Sequence, residues 1–243
     1  MSPLDIGRRL IAQAQHIVVF TGAGMSAESG VPTFRDAGTG LWAQFDVSQL
    51  ATPQAWAHDS ELVWRWYAER AAGVRATEPN SGHHAIAALA RDRRAAGGSV
   101  RVVTQNVDDL HERAGLDEVC HLHGSLFAPR CDQCSRPAAL DAALRAELSA
   151  CPACPGRVRP GVVWFGEALP IHAWDYAEAA FDTADLVVVV GTSGVVHPAA
   201  SLPETAALRG VQVIEVNPEA SELTRVNLRI KTTAAEGLPL LFA

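Results

Sequence analysis

Four cysteines stand in two pairs, Cys131-x-x-Cys134 and Cys151-x-x-Cys154, with 16 residues between the pairs. Thiolates spaced in this way can reach the four corners of a tetrahedron, the arrangement zinc takes with sulfur ligands. A metal with four protein ligands has no open position for water, so it would hold structure rather than perform chemistry. Two redox-active dithiols are the competing reading of the same pairs. The fifth cysteine, Cys120, reads as a buried bystander.

A second group of residues could handle a nucleotide. "TGAGMSAESGVPTFRD" occupies 21–36, directly after an apolar run. Gly22 and Gly24 permit a tight turn and let the backbone approach a pyrophosphate, whose charge the amides of a following helix start can meet. The acidic residue that usually follows about twenty positions on is not evident, so dinucleotide binding and a plain tight turn stand as equal readings of the spacing. Further polar runs are "QNVDDLH" (105–111), "CHLHGSLF" (120–127), "GTSGVVHP" (191–198) and "EVNPE" (215–219). Amides and carboxylates there can bond a carboxamide or a ribose, and an imidazole can serve as general base. Taken singly, each also reads as a cap or turn.

These runs follow the elements that would position them. "HIVVF" (16–20), "VRVVT" (100–104), "DLVVVVG" (185–191) and "VQVIEV" (211–216) have the length and β-branched content of buried strands. Helical patterns lie between them at 83–94, 172–184 and 199–210, with another ahead of the first strand. Buried strands joined by helices imply a parallel sheet covered on both faces, with ligands at the carboxyl ends of its strands. Residues 36–79, helical and rich in tryptophan, and 128–159, which hold the cysteines, break that rhythm and read as insertions forming a smaller domain. In "ELVWRWYAERAAG" (61–73), Tyr67 and Arg70 share a helix face. Trp64 and Trp66 read as packing. For Tyr67 and Arg70 the plain reading is a half-buried ring and an arginine reaching solvent or pairing with Glu61 or Glu69.

Composition narrows the class. The 243 residues are 48% apolar and 19% charged, as in a globular protein. A net charge of −7 offers no positive field for phosphate backbones, so nucleic acid is not an expected partner. Apolar runs such as 186–190 are too short for a bilayer, and Asp5 with a polar middle interrupts any signal-peptide pattern, so a cytoplasmic protein is expected. Nineteen of the twenty basic residues are arginine, leaving Lys231 as the one candidate for Schiff-base chemistry.

In this order, "GAGMSAESGVPTFRD", "TQNVDDLH", "HLHG", the two cysteine pairs, "GVVWFGE" (161–167), "VVGTS" and "VNPE" resemble the sirtuin family, the NAD-dependent protein-lysine deacylases, and specifically bacterial ones. The resemblance implies an α/β fold, a Rossmann-like doubly wound parallel sheet with a smaller inserted helical and zinc-ribbon domain. Residues 1–35, 80–127 and 160–243 would form the NAD-binding domain, and 36–79 with 128–159 the small one. It implies NAD as co-substrate and one structural zinc on Cys131, Cys134, Cys151 and Cys154. Gly22, Ala23, Gly24, Ser26, Glu28, Thr33, Phe34, Arg35 and Trp42 would contact NAD, with Gln105, Asn106, Val107 and Asp108 on the nicotinamide side. Gly191, Thr192, Ser193, Asn217, Pro218 and Ala234 would hold the ribose and adenine end.

His123 matches the family's catalytic histidine, and His121 stands where many relatives carry an acidic residue. Asp36 and Asp109 replace the glycine of commoner forms. By resemblance, the acyl-lysine oxygen attacks the anomeric carbon of the nicotinamide ribose, nicotinamide leaves, His123 acts as base toward the ribose hydroxyls, and water completes the transfer. Acylated-lysine proteins or peptides would bind as an added strand against Val163, Phe165, Gly166, Gly194 and Val195, with no membrane partner. The Tyr67 and Arg70 pair resembles the desuccinylase and demalonylase (class III) subgroup: a guanidinium can bind the distal carboxylate of succinyl-lysine through two bonds and a phenol can add a third. A desuccinylase and demalonylase with weaker deacetylase activity is therefore expected. The alternatives are mainly a deacetylase, a mono-ADP-ribosyltransferase or NAD hydrolase, or a zinc-ribbon interaction module that senses NAD.

Overall fold

The structure, a computed structural model, describes residues 1–33, 50–145 and 147–243. Its apolar β-branched runs pair side by side. Strands β1 (His16–Thr21), β2 (Ser99–Thr104), β3 (Val119–His121), β6 (Leu186–Val190), β7 (Gln212–Val216) and β8 (Leu228–Ile230) form a parallel sheet ordered β3-β2-β1-β6-β7-β8. Strands β4 (Arg130–Cys131) and β5 (Val158–Arg159) pair antiparallel in a separate ribbon. Winding reverses between β1 and β6, which run in register from Ile17 opposite Leu186 to Thr21 opposite Val190. This is the parallel sheet expected from the pattern, in the doubly wound Rossmann-like form the resemblance implied, and its switch point opens at the carboxyl ends of β1 and β6.

Side chains alternate across the sheet with the period of two that strands impose. Ile17, Val19, Val188 and Ile214 face a core built with α1 (Pro3–Gln13), α4 (Ser81–Ala95) and α8 (Ala234–Phe242). Val18, Phe20, Val187 and Val189 face the other core, built with α6 (Ile171–Asp182) and α7 (Ser201–Leu208). Every residue of β6 is buried, as a central strand covered on both faces requires. The edge strands β3 and β8 and the helix α8 were not expected from the sequence. Three residues are too few for a periodic signal, and Gly237 and Pro239 inside α8 read as helix breakers. Among the described residues no helix is long and apolar enough to cross a membrane.

A third core lies apart from the sheet. Helices α2 (Pro53–His58) and α3 (Ser60–Arg75) pack Trp56, Val63, Trp64 and Trp66 against Leu126, Val158, Val162 and Trp164. Trp64 and Trp66 are therefore packing residues. The indole N–H of Trp56 donates to Asp132 Oδ2 (3.0 Å) and that of Trp64 to the Arg145 carbonyl (2.9 Å), which fastens the cysteine-bearing segment to both helices.

The four cysteine Sγ atoms lie within 4.8 Å of one another, with Cys131 and Cys154 3.4 Å apart and Cys134 and Cys151 3.8 Å apart. Zinc–sulfur bonds of about 2.3 Å at tetrahedral angles place sulfurs about 3.8 Å apart, so the donor set fits one zinc. Backbone N–H groups of Gln133, Ala153 and Gly156 point at the sulfurs of Cys131, Cys151 and Cys154 at 3.4 Å and hold them in place. Wild-type protein should carry about one zinc per chain, and Cys131→Ser with Cys154→Ser should abolish it by metal analysis; retention of full zinc would contradict the four-thiolate site.

Two buried histidines under the sheet's edge stay neutral. His83 accepts the Asn80 N–H on Nδ1 (3.2 Å), and its ring meets that of His111 edge to face at 4.9 Å. Burial holds His83 down at about 4 and His111 well below the usual histidine value. Because the folded value lies below the unfolded 6.5, the unfolded chain takes up protons first. Stability from His83 is thus complete above pH about 6.5 and is lost as pH falls toward about 4. Denaturant unfolding at pH 7 and pH 5 should show His83→Gln losing about 2 kcal/mol less than wild type between the two.

Candidate functional site

Side chains at the carboxyl ends of β1, β2 and β3 converge on a cavity of about 200 Å³. Ala23 and Ser26 reach it from the turn after β1, and Gln105, Asn106, Val107 and Asp108 from the turn after β2. His123 follows β3, and Tyr67 and Arg70 enter from α3. Val163, Phe165 and Gly166 line the opposite wall, where Phe165 is half exposed.

The polar floor is internally bonded. Ser26 Oγ donates to Asp108 Oδ2 (2.9 Å) and accepts from Asn106 Nδ2 (3.2 Å), while the Leu110 N–H donates to Asp108 Oδ1 (3.2 Å). Burial pushes the Asp108 carboxyl up, against the pull of those donors. A buried primary amide beside a carboxyl offers the donor and acceptor pair that a carboxamide requires, so this floor fits the nicotinamide end of NAD.

His123 stands over the floor. Its Nδ1–H donates to the Gln105 carbonyl (3.0 Å), which leaves Nε2 as the basic nitrogen. Burial lowers its pKa, partly offset by that bond, so the ring is neutral at neutral pH. His121 is the opposite case. Its Nδ1–H donates to the Asn106 carbonyl (2.9 Å) and its Nε2–H to Glu112 Oε1 (2.7 Å), so both nitrogens carry protons. Burial opposes the charge, but the Glu112 carboxylate and the Asn106 carbonyl outweigh it and raise the pKa.

At the switch point the glycines serve packing. A Cβ on Gly22 would stand 2.8 Å from Thr192 Cα, one on Gly24 2.7 Å from Gly191 Cα, and one on Gly191 2.5 Å from the Gly24 carbonyl carbon. Gly191 also has φ +59°, in the left-handed region. Their missing side chains let two turns touch. Thr192 Oγ1 accepts from Gln105 Nε2 (2.9 Å), and the Thr192 carbonyl accepts from Asn217 Nδ2 (2.9 Å), so the turns after β2, β6 and β7 are joined in one chain of bonds.

Other expected residues stand outside this cavity. Gly22, Gly24, Gly191, Thr192, Ser193 and Asn217 gather at the switch point beside it, while Pro218 and Val195 are exposed and Gly194 and Thr33 half-buried. Glu28 accepts the Ala235 N–H at the start of α8 (2.7 Å), and Ala234 is buried under it. Phe34, Arg35 and Trp42 lie outside the described residues.

The structure adds groups that the sequence pattern does not single out. Arg159 grips Glu167 with two bonds (2.6 and 3.0 Å), donates to the Val162 carbonyl (3.1 Å) and lies 3.4 Å from the Trp164 ring centroid. Glu167 also accepts the Trp164 N–H (2.8 Å), so the pair closes the 159–167 loop that forms the wall. The Val163 N–H donates to the carbonyl of His123 itself (2.8 Å). His197 joins the cavity lining from the turn after β6. Glu167 already ended the GVVWFGE motif, but its pairing with Arg159 was signalled only by opposite charge flanking an apolar run, which is common in any loop.

Comparison with known proteins accords with this geometry. An NAD-dependent protein deacylase of Thermus thermophilus is 48% identical over 242 residues, covering 99% of this chain and 94% of its own. NAD-dependent protein deacylase 1 of Pseudomonas aeruginosa is 56% identical over 218 residues, 86% of each chain. A Sir2 homologue solved as an NAD complex superposes with a TM-score of 0.90 at 44% identity, covering 98% of this chain and 92% of its own. Sir2Af2, solved with a myristoylated histone peptide, gives 0.78 at 31% identity over 99% of this chain and 94% of its own. The Sir2 family pattern matches residues 22–198. With its switch-point glycines, its amide and carboxyl floor and its neutral histidine all within that match, the chain belongs to the Sir2 family.

Proposed function

We propose that this chain, an NAD-dependent protein deacylase, removes succinyl and malonyl groups from lysine in preference to acetyl groups, releasing nicotinamide and O-acyl-ADP-ribose. The observation that carries the reading is the placement of Tyr67 and Arg70 in the same cavity as His123, Asn106 and Asp108. Arg70 Cζ lies 4.9 Å from the Trp66 ring centroid and 5.8 Å from that of Tyr67. Burial lowers the Arg70 pKa and raises that of Tyr67, so a cation and a neutral phenol stand together in a poorly solvated wall. Val31, Leu126, Val162 and Trp164 give the same cavity an apolar lining suited to a short methylene chain. An anionic tip on that chain meets a fixed positive charge, whereas an acetyl methyl gains nothing from it.

NAD supplies the anomeric carbon from which nicotinamide leaves and to which the acyl oxygen bonds. In this reading the Asn106 amide and the Asp108 carboxyl receive the carboxamide, and His123 Nε2 takes a proton from a ribose hydroxyl. The switch-point residues Gly22, Gly24, Gly191, Thr192, Ser193 and Asn217, with Ala23, Gln105, Thr33, Phe34 and Arg35, hold the rest of the dinucleotide. The acylated peptide lies as an added strand between 163–166 and 194–195; that a peptide binds at all is in line with Sir2Af2, solved with a myristoylated histone peptide. Two units divide the labour, 1–35 with 80–127 and 160–243 carrying the dinucleotide, and 36–79 with 128–159 carrying α3 and the zinc.

Two outcomes test this. Arg70→Met should lower kcat/KM on a succinyl-lysine peptide by about 2 to 3 kcal/mol, roughly 30- to 150-fold, and leave an acetyl-lysine peptide nearly unchanged. A wild-type preference for acetyl would end the acidic-acyl reading. For the base, the acid limb of kcat/KM should fall at a pH below histidine's usual 6.5, because activity is lost only when the buried ring of His123 finally protonates. A limb above 6.5, or full turnover by His123→Ala, would remove that histidine from the mechanism.

A further inference from the structure

The helix that carries Tyr67 and Arg70 is tied to the floor of the cavity by charge. Arg75, the last residue of α3, donates from Nη1 to Asp109 Oδ2 at 2.5 Å, and its guanidinium carbon lies 4.0 Å from the Phe127 ring centroid. Arg113, the last residue of α5 (Leu110–Arg113), donates to the carbonyls of Val74 (3.2 Å) and Thr77 (2.6 Å). It also lies 4.0 Å from Asp109 Oδ1 and 3.1 Å from Glu78. The side chains of Arg75, Asp109 and Arg113 are 33%, 16% and 22% exposed, so these ties are only partly screened by water. Asp109 directly follows Asp108, and Val74 lines the same cavity as Arg70.

We infer that Asp109, with Arg75 and Arg113, is a positioning site that sets how deeply α3 presents Arg70 and Tyr67 to the acyl group. An α-helix is stiff over the five residues from Arg70 to Arg75, so a shift at its last turn moves the acyl-facing side chains by a similar amount. Asp109 belongs to the same turn as Asn106 and Asp108, so the acyl wall is referenced directly to the floor where nicotinamide is proposed to leave. The inference rests on the proposed function for which acyl group is favoured, but not for the existence of the tie.

The test compares kcat and KM for acetyl-, butyryl- and succinyl-lysine peptides and KM for NAD across wild type, Arg75→Gln, Arg75→Lys, Asp109→Asn and the Arg75→Gln/Asp109→Asn double variant. Arg75→Gln should raise KM for the favoured acyl peptide and move acyl discrimination about fivefold or more toward parity, with KM for NAD unchanged. Asp109→Asn should have a similar effect on discrimination, the double variant should add little, and Arg75→Lys, which keeps the charge, should recover most of it. Equal loss on all three peptides, unchanged discrimination, or single effects that sum in the double variant would overturn the inference. If wild type prefers acetyl, the acidic-acyl reading fails, and the positioning site is still judged by whether the wild-type ratio collapses.

Discussion

Two turns without side chains press against each other at the centre of the sheet's upper edge. Gly22 and Gly24 after β1 and Gly191 after β6 meet at distances that leave no room for a Cβ on any of them. The sheet reverses its winding at that point, and among the described residues several turns proposed to hold the dinucleotide meet there. A methyl group there would push the β6 turn outward, and with it Thr192, which links Gln105 on one side to Asn217 on the other. The constraint is steric first and chemical second: the floor of the cavity is positioned because three strands end at one height and their turns interlock.

Charge state within the site follows from burial and partner choice. Two histidines separated by one residue end with opposite protonation, since His123 finds one carbonyl while His121 finds a carbonyl and a carboxylate. The His123 ring lines the cavity, while His121 is tied to the Asn106 carbonyl and to Glu112. Neither state could be read from "HLHG", where the two differ only in register.

Much of the fold was legible because its strands are short, apolar and β-branched and each ends in a polar turn. The cysteine pairs were legible for a similar reason, since their spacing encodes a geometry the structure reproduces. What escaped was set by tertiary contact. The edge strands β3 and β8 borrow their extended form from neighbours, and α8 survives Gly237 and Pro239 by packing against α4 and α1. Glu28 sits inside the glycine-rich motif, yet its carboxylate goes to the start of α8, 207 positions away in sequence. The glycines read as permitting a tight turn and a pyrophosphate's approach, and the close approach the structure shows is that of another turn. Glu167 ends the GVVWFGE motif, but its pairing with Arg159 left no trace, because eight residues of loop must first fold back before the two charges meet.

One backbone bond joins the cavity wall to His123. The Val163 amide is spent on the carbonyl of His123, so the segment against which a peptide is proposed to lie and the residue proposed to move the proton are the two ends of a single N–H···O link. In that reading, pressure from a docked chain would reach the His123 main chain through one link, and the ring, held by its Nδ1–H bond to the Gln105 carbonyl, would be aligned as the polypeptide is seated.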